Sequence, residues 1–362
     1  MEKVVKGAGI LCPPPSFILI LLRTWQASER LGERGICVRL RAPFSCVHVK
    51  GFLAVRLAPL LSQPRLKATL ERGLVRSHLA DAWRLTRRRD VLILAYHNIV
   101  PTGVEVAGDR SLHLTQAIFA AQLDSLKATH DVVPFEALFN PDAPRRRPRA
   151  IITFDDAYRG AVTVGLGEVV ARGLAATVFV SPAFVGGRFF WWDLVTQTGA
   201  PGPTESFRKT ALEECRGMDD AVRHLAGRSG YAFSRLPMDA ACASEDELRA
   251  AAKLPGVTLA SHTWSHPNLV RLQPSELEEE LTRPLEWLGA RFDNVVPVLS
   301  YPYGLTSTPV QRAAAHAGYR AGLLVTGGWT PSRPRNPFAV RRLNVPAGLS
   351  SEGFVLRTAG LL

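Results

Sequence analysis

The 362-residue chain carries 44 Lys and Arg against 32 Asp and Glu, a formal net charge of +12, with 46% hydrophobic and 21% charged residues. Those proportions exclude wholesale disorder, and no stretch reaches the ~18 uninterrupted apolar residues that an integral membrane span needs. The basic excess points toward nucleic acid or an anionic surface, but it is unevenly placed. Residues 1–90 hold 17 Lys/Arg and 6 Asp/Glu, whereas residues 91–362 hold 27 and 26. The body of the chain is therefore nearly neutral, and no nucleic-acid partner is expected.

Residues 1–90 read as a basic N-terminal extension, either poorly ordered or lying upstream of the true start. Phe17 to Leu22 is a short apolar run after Lys3 and Lys6, but a triple proline precedes it and no small-residue cleavage site follows, so it makes a poor export signal. Leu66 to Arg89 has the spacing of one basic amphipathic helix. The five cysteines form no CxxC pair. A reducing compartment, and hence the cytoplasm, is the expected location.

From Val91 onward, short apolar runs alternate with helical patterns, which predicts parallel β/α units. Strands are expected at Val91–Tyr96, Ala150–Phe154, Ala175–Val180, Val257–Ala260, Val295–Ser300 and Ala321–Val325. Helices are expected at Thr115–Thr129, Gly160–Arg172, Ser275–Ala290 and Thr308–Ala317. Pro284 should bend or break the third of these helices. Pro141 to Pro148 reads as a polar linker. Residues from about 186 to 255 interrupt the alternation and read as a partly helical insertion, with a capping box at Ser244 opening its last helix.

Three clusters of reactive or turn-forming residues follow strand ends. Asp155 and Asp156, adjacent after a strand, point in different directions, so one can hold a cation while the other stays free as a base; a turn or a helix cap is the plainer reading. His262 and His266, four apart after the next such strand, converge on one ion if the backbone turns between them. Together with Asp156 they form three protein ligands, leaving a position open for water or substrate. Zinc is the default ion, although two histidines and a carboxylate also suit non-haem iron. Ser300-Tyr301-Pro302-Tyr303-Gly304 forms the third cluster, a rigid turn whose backbone N–H groups can face a ligand.

TFDD, SHTWSH and YPYG in this order, preceded by Ala95-Tyr96-His97-Asn98, resemble the motifs of the polysaccharide deacetylase family with the NodB homology domain (carbohydrate esterase family four). The resemblance covers about residues 91–347. It implies a deformed (β/α) barrel of the NodB type in residues 91–362, with the insertion at about 186–255. It also implies a divalent metal ion, an acetylated glycan as substrate, and hydrolytic removal of acetyl groups, most simply N-acetyl. Carried over, Asp155 matches the catalytic base, Asp156, His262 and His266 the metal ligands, and Tyr303 the residue whose backbone N–H holds the oxyanion.

Two positions depart from the family pattern. Ser300 stands where an arginine normally orients the catalytic Asp; Asn336 to Arg342 resembles the later segment that supplies this arginine in some members, which favours Arg342, with Arg341 as the competing choice. The Leu-x-His motif that provides the general acid is missing. His97 is the best replacement, as acid or as a polar pocket group, while His316 reads as a surface residue. Trp329 is a candidate wall for the acetyl methyl, with a core or surface tryptophan the equal alternative. Phe189 to Asp193 either grips glycan or packs the insertion onto the barrel. A catalytically weak or inactive glycan-binding member of the same fold is the alternative function.

Overall fold

A computed structural model describes residues 64–140, 147–196 and 202–362. The cysteines at 12, 37 and 46, the apolar run at 17–22 and most of the 141–148 linker lie outside the described residues. Thirteen strands occur among those described: β1 Asp90–Tyr96, β2 Asn98–Val100, β3 His113–Thr115, β4 Asp131–Val132, β5 Arg149–Phe154, β6 Ala176–Val180, β7 Val195–Thr196, β8 Ala232–Phe233, β9 Val257–Ser261, β10 Val295–Ser300, β11 Ala321–Leu323, β12 Trp329–Pro331 and β13 Leu343–Asn344. Nine of them form one curled sheet in the order β11-β10-β9-β6-β5-β1-β12, with β4 on β5 and β13 on β1. The long neighbours β5, β6, β9 and β10 pair in parallel. Strands buried on both faces need apolar residues at nearly every position, and that is why these segments read as continuous hydrophobic runs.

Side chains alternate between two cores, as the strand period of 2 requires. Leu92, Leu94, Tyr96, Ile152 and Phe154 join Phe119, Leu123 and Leu126 of the helix Gln116–Thr129. Val91, Ile93, Ile151, Phe179, Val298, Leu323 and Val340 meet inside the curl, where Phe135 and Leu138 join them.

Residues 340–345 draw the two ends of the sheet together. Val340 donates to Gly322 and accepts from Leu324 beside β11, while β13 runs parallel to β1 and Val345 donates to Ala95. Arg342 stands in the middle of this segment. Its side chain is fully buried. The fold is thus the expected deformed barrel, a curled α/β half-barrel with its insertion after β6.

Residues 64–86 form two helices, Pro64–Arg76 and Leu79–Thr86, where one was expected. His78 breaks the run in the left-handed conformation at φ 56°. Leu74, Val75 and Trp83 pack with Leu356 and Ala359 of the helix Ser351–Ala359, and Glu71 accepts a hydrogen bond from Ser350. The insertion holds the helices Trp191–Leu194, Glu205–Glu213, Asp219–Arg228 and Glu245–Ala252. The last has its capping box: Ser244 Oγ accepts from the Glu247 N–H, and the Ser244 N–H donates to Glu247.

Pro284 does not break its helix, which runs uninterrupted over Pro274–Gly289. Proline lacks the N–H that would have bonded the carbonyl four residues earlier. That carbonyl, on Glu280, instead accepts from the Trp264 N–H at 3.2 Å. The buried Glu280 carboxylate also accepts from Trp264 N–H at 2.9 Å, Ser265 N–H at 2.8 Å and Ser265 Oγ at 2.5 Å. The helix defect therefore becomes an anchor for the loop after β9. Truncating Glu280→Ala would strand several buried donors, at roughly 1–3 kcal/mol for each uncompensated group. Urea denaturation should show Glu280→Ala at least ~2 kcal/mol less stable than the parent, with Glu280→Gln intermediate; an unchanged midpoint for Glu280→Ala would refute the anchoring role.

Candidate functional site

Three loops leave the C-terminal ends of β5, β9 and β10 side by side. In β/α barrels this end carries the chemistry. The backbone there is unusual: Asp156, Ala157, Thr263, His266 and Tyr303 all have φ between 47° and 67°. Among the described non-glycine residues only His78 and Arg216 share this left-handed conformation. Such strain persists where surrounding contacts impose it, and it clusters at functional sites.

Asp155 and Asp156 are both buried, yet their surroundings differ. Arg342 grips Asp155 in a two-pronged contact, Nη1 to Oδ1 at 2.8 Å and Nη2 to Oδ2 at 2.7 Å. The remaining guanidinium donors reach Thr153 Oγ1, Ser300 Oγ and the Leu324 carbonyl. Ser300 in turn donates to Asp155 at 3.2 Å. Burial alone would raise the Asp155 carboxyl, but the charge and hydrogen bonds of Arg342, with the nearby His262 and His97, together outweigh it and hold the pKa well below the usual carboxylate range. Arg341, the competing choice, lies elsewhere: its side chain packs beside Gly327.

Asp156 turns the other way. Its Oδ1 lies 3.4 Å from His262 Nε2 and 3.3 Å from His266 Nε2, and those two nitrogens are 3.2 Å apart. Oδ1 is buried without a hydrogen-bond partner. Burial, then the neighbouring Asp155 and Asp193 charges, push the Asp156 carboxyl well above its ordinary value, while burial pushes His266 well below its own. His262 Nδ1 donates to the Ser300 carbonyl at 2.8 Å. The Nε2 lone pair is thereby left to face Asp156, in the arrangement that orients a metal-ligating histidine.

This donor set fits a divalent ion. Donors on a tetrahedral zinc with bonds of about 2.0–2.1 Å stand about 3.3–3.4 Å apart. The three atoms here form a triangle of 3.2–3.4 Å sides. Among the described residues they are also the one set of His, Cys, Asp or Glu close enough to hold an ion.

The remaining sequence candidates divide. His97 and Tyr303 line the same pocket as the two aspartates. His97 is half-buried after β1, and desolvation lowers its imidazole pKa to about 4, so it is neutral at ordinary pH. The Tyr303 ring packs edge-on to His266 at 4.7 Å, and its hydroxyl accepts from Trp191 Nε1. His316 sits at the exposed end of the helix Thr308–His316 and bonds only the Arg312 carbonyl.

Trp329 is not in the pocket. It lies on β12, which pairs with the first residues of β1, at the end of the sheet away from these loops, and it packs beside His130.

The insertion supplies walls that sequence reasoning left undecided: Trp191 and Trp192 with Arg208 and Leu212. Trp192 stacks on Phe190 at 4.6 Å and leans on His266 at 4.8 Å. The run Phe189 to Asp193 was the available signal. Only its contact with the loop after β9 distinguishes wall from packing.

Comparison with known proteins gives one answer throughout. The family model described as polysaccharide deacetylase matches residues 142–322, half of the chain. A 99-residue stretch is 28% identical to YxkH of Bacillus subtilis, named among the polysaccharide deacetylases; it spans 27% of this chain and 35% of that protein. The fold is similar to that of Streptococcus pyogenes deacetylase PplD in complex with acetate, with a TM-score of 0.52 at 17% identity, over 75% of this chain and 98% of that one. A polysaccharide deacetylase from Bacillus cereus gives 0.52 at 16% identity, over 75% and 69%. With TFDD, HxxxH and YPYG gathered at one end of the same curled sheet, the chain belongs to the polysaccharide deacetylase family.

Proposed function

We propose that this protein is a metal-dependent hydrolase that removes acetyl groups, most simply N-acetyl, from an oligo- or polysaccharide. The observation carrying this reading is the unequal treatment of two adjacent buried carboxylates. Asp155 has an arginine to itself; Asp156 shares its space with two imidazole nitrogens. One is kept ionised and ready to accept a proton. The other is suited to hold a cation.

Asp156, His262 and His266 would hold the ion, with zinc the first choice for this donor set. When bound, the ion polarises the acetyl carbonyl and lowers the pKa of water. Asp155 takes a proton from the attacking water. Arg342 and Ser300 keep its carboxylate oriented for that task, and the backbone N–H of Tyr303 stabilises the developing oxyanion. Negative charge growing in the pocket raises the affinity of His97 for a proton; it takes one from solvent water and passes it to the departing nitrogen as the C–N bond breaks, and Asp155 returns to solvent the proton it took from the attacking water. Trp191 and Trp192 provide an apolar wall against which the acetyl methyl and a sugar face can pack. Five cysteines without a CxxC pair keep the cytoplasm as the proposed location.

Acetate release from N-acetylglucosamine oligomers and acetylated polysaccharides tests the reading. Release should stop on chelation, return with Zn2+, and fall by about 10²–10⁴ in Asp155→Asn while bound metal is retained. A metal-loaded protein that releases no acetate across such a panel, yet binds glycan, would establish the inactive alternative instead.

Arg342→Met gives a second test with a definite sign. Removing the cation raises the Asp155 pKa, so the base protonates at higher pH. The acidic limb of kcat/KM should move up by about 1–3 pH units, and folding should weaken by about 3–5 kcal/mol because a buried charge loses its partner. An unmoved limb would mean that Asp155 is not the titrating base.

A further inference from the structure

Behind the pocket lies a further buried carboxylate, Asp193, which none of the steps above uses. Its side chain is completely shielded from solvent, and that of His113 is buried beside it. Asp193 Oδ1 accepts from His113 Nε2 at 2.8 Å and from the backbone N–H of Asp109 at 2.8 Å. Oδ2 accepts from Tyr158 OH at 2.6 Å. That hydroxyl accepts from Trp192 Nε1 at 2.9 Å. The carboxylate thus joins four separate pieces of chain: the insertion, β3, the turn after Asp155 and Asp156, and the loop between β2 and β3.

Backbone geometry is shaped around this group. Gly108 has φ +80°, and a Cβ built there would come within 2.6 Å of Asp193 Oδ1. Only glycine lets the loop close over the carboxylate. One residue on, Asp109 ion-pairs with Arg208 at 2.8 Å, and both line the pocket. Burial alone would lower the His113 imidazole, but the charge and hydrogen bond of Asp193, with the Asp109 and Asp239 charges, together outweigh it and the pKa is raised. Burial and then that same charge push the Tyr158 phenol well up, so it remains a donor.

We propose that Asp193, paired with His113, is a positioning residue for the substrate pocket: through Tyr158 it fixes the Trp192 ring against His266, and through the Asp109 backbone it holds the Asp109–Arg208 contact that lines the same pocket. The proposal rests on the deacetylase reading for what the pocket binds, but not for the linkage itself. A wall that meets the acetyl group equally in ground and transition states acts on KM more than on kcat. A buried charge retained for geometry, not for net stability, is a known use of such pairs.

The test combines Asp193→Asn, Tyr158→Phe, Trp192→Phe and the Tyr158→Phe/Trp192→Phe double variant, in the full chain loaded with Zn2+. Acrylamide quenching of Trp192, obtained by difference from Trp192→Phe, should rise about twofold in Asp193→Asn and in Tyr158→Phe. KM for N-acetylglucosamine oligomers should rise about tenfold in both, with kcat within about threefold of the parent. In the Trp192→Phe background, Tyr158→Phe should add nothing further. Unchanged quenching and KM alongside a lower unfolding midpoint would overturn the proposal, leaving the pair a structural tie only. Additive effects in the double variant would overturn it equally. Should Asp193→Asn fail to fold, Tyr158→Phe and the cycle decide alone. Should the parent release no acetate, the deacetylase reading falls, and quenching still decides whether Asp193 holds Trp192.

Discussion

The contact between Arg342 and Asp155 is the constraint on which the site depends. Two neighbouring carboxylates in a buried pocket cannot both ionise without a counter-charge. Arg342 supplies it to one of them, and its five N–H donors are all engaged by Asp155, Thr153, Ser300 and Leu324. A guanidinium satisfied in every direction has no rotational slack, so the carboxylate it grips has none either. The segment carrying Arg342 is also the one that spans from β11 to β1. Closing the sheet and defining the charge state of Asp155 are thus one structural event. Ser300 belongs to the same arrangement: a small hydroxyl at the end of β10 leaves room for an arginine arriving from the opposite side and bonds to it.

The second requirement is that three loops hold left-handed turns at residues other than glycine. A strand end fixes where each loop starts, and nearby polar groups fix how it turns. After β9, Glu280 collects the backbone N–H groups of Trp264 and Ser265 with both its side chain and its carbonyl. That carbonyl is free because Pro284 has no N–H to offer it. Thr263 Oγ1 accepts from the His266 N–H, which completes the turn bringing the two histidines to one point.

How legible this was in the sequence follows the range of the interactions involved. The strands were readable because burial on both faces demands unbroken apolar runs. Asp155, Asp156, His262 and His266 were readable because each follows such a run by one or a few residues. The register of Arg342 against Asp155 spans 187 positions, and only resemblance to a known family pointed to it. The wall residues fared worse. Trp191 and Trp192 become pocket residues through long-range packing of the insertion, which leaves no periodic trace. Trp329, open between a pocket wall and a packing residue, is decided by a similarly long-range contact: antiparallel pairing with the start of β1 carries it to the end of the sheet away from the site. The reading of one helix over 66–89 failed at His78, where a left-handed residue of ordinary helix propensity splits the run.

The charges behind the pocket then explain why Asp156 in particular is placed to receive a cation. Asp155 is balanced by Arg342, Asp193 is paired with His113, and Asp109 is balanced by Arg208. His97 and His266 are both shifted toward their neutral forms by burial. No Lys or Arg among the described residues forms an ion pair with Asp156. In a low-dielectric pocket where every other carboxylate already has a partner, Asp156 is the one whose ionised form still lacks a counter-charge, and it stands next to two nitrogen lone pairs. Excess charge elsewhere in the chain contributes little to this, since the field that selects an ion here is set within a few ångströms and by groups already shielded from solvent.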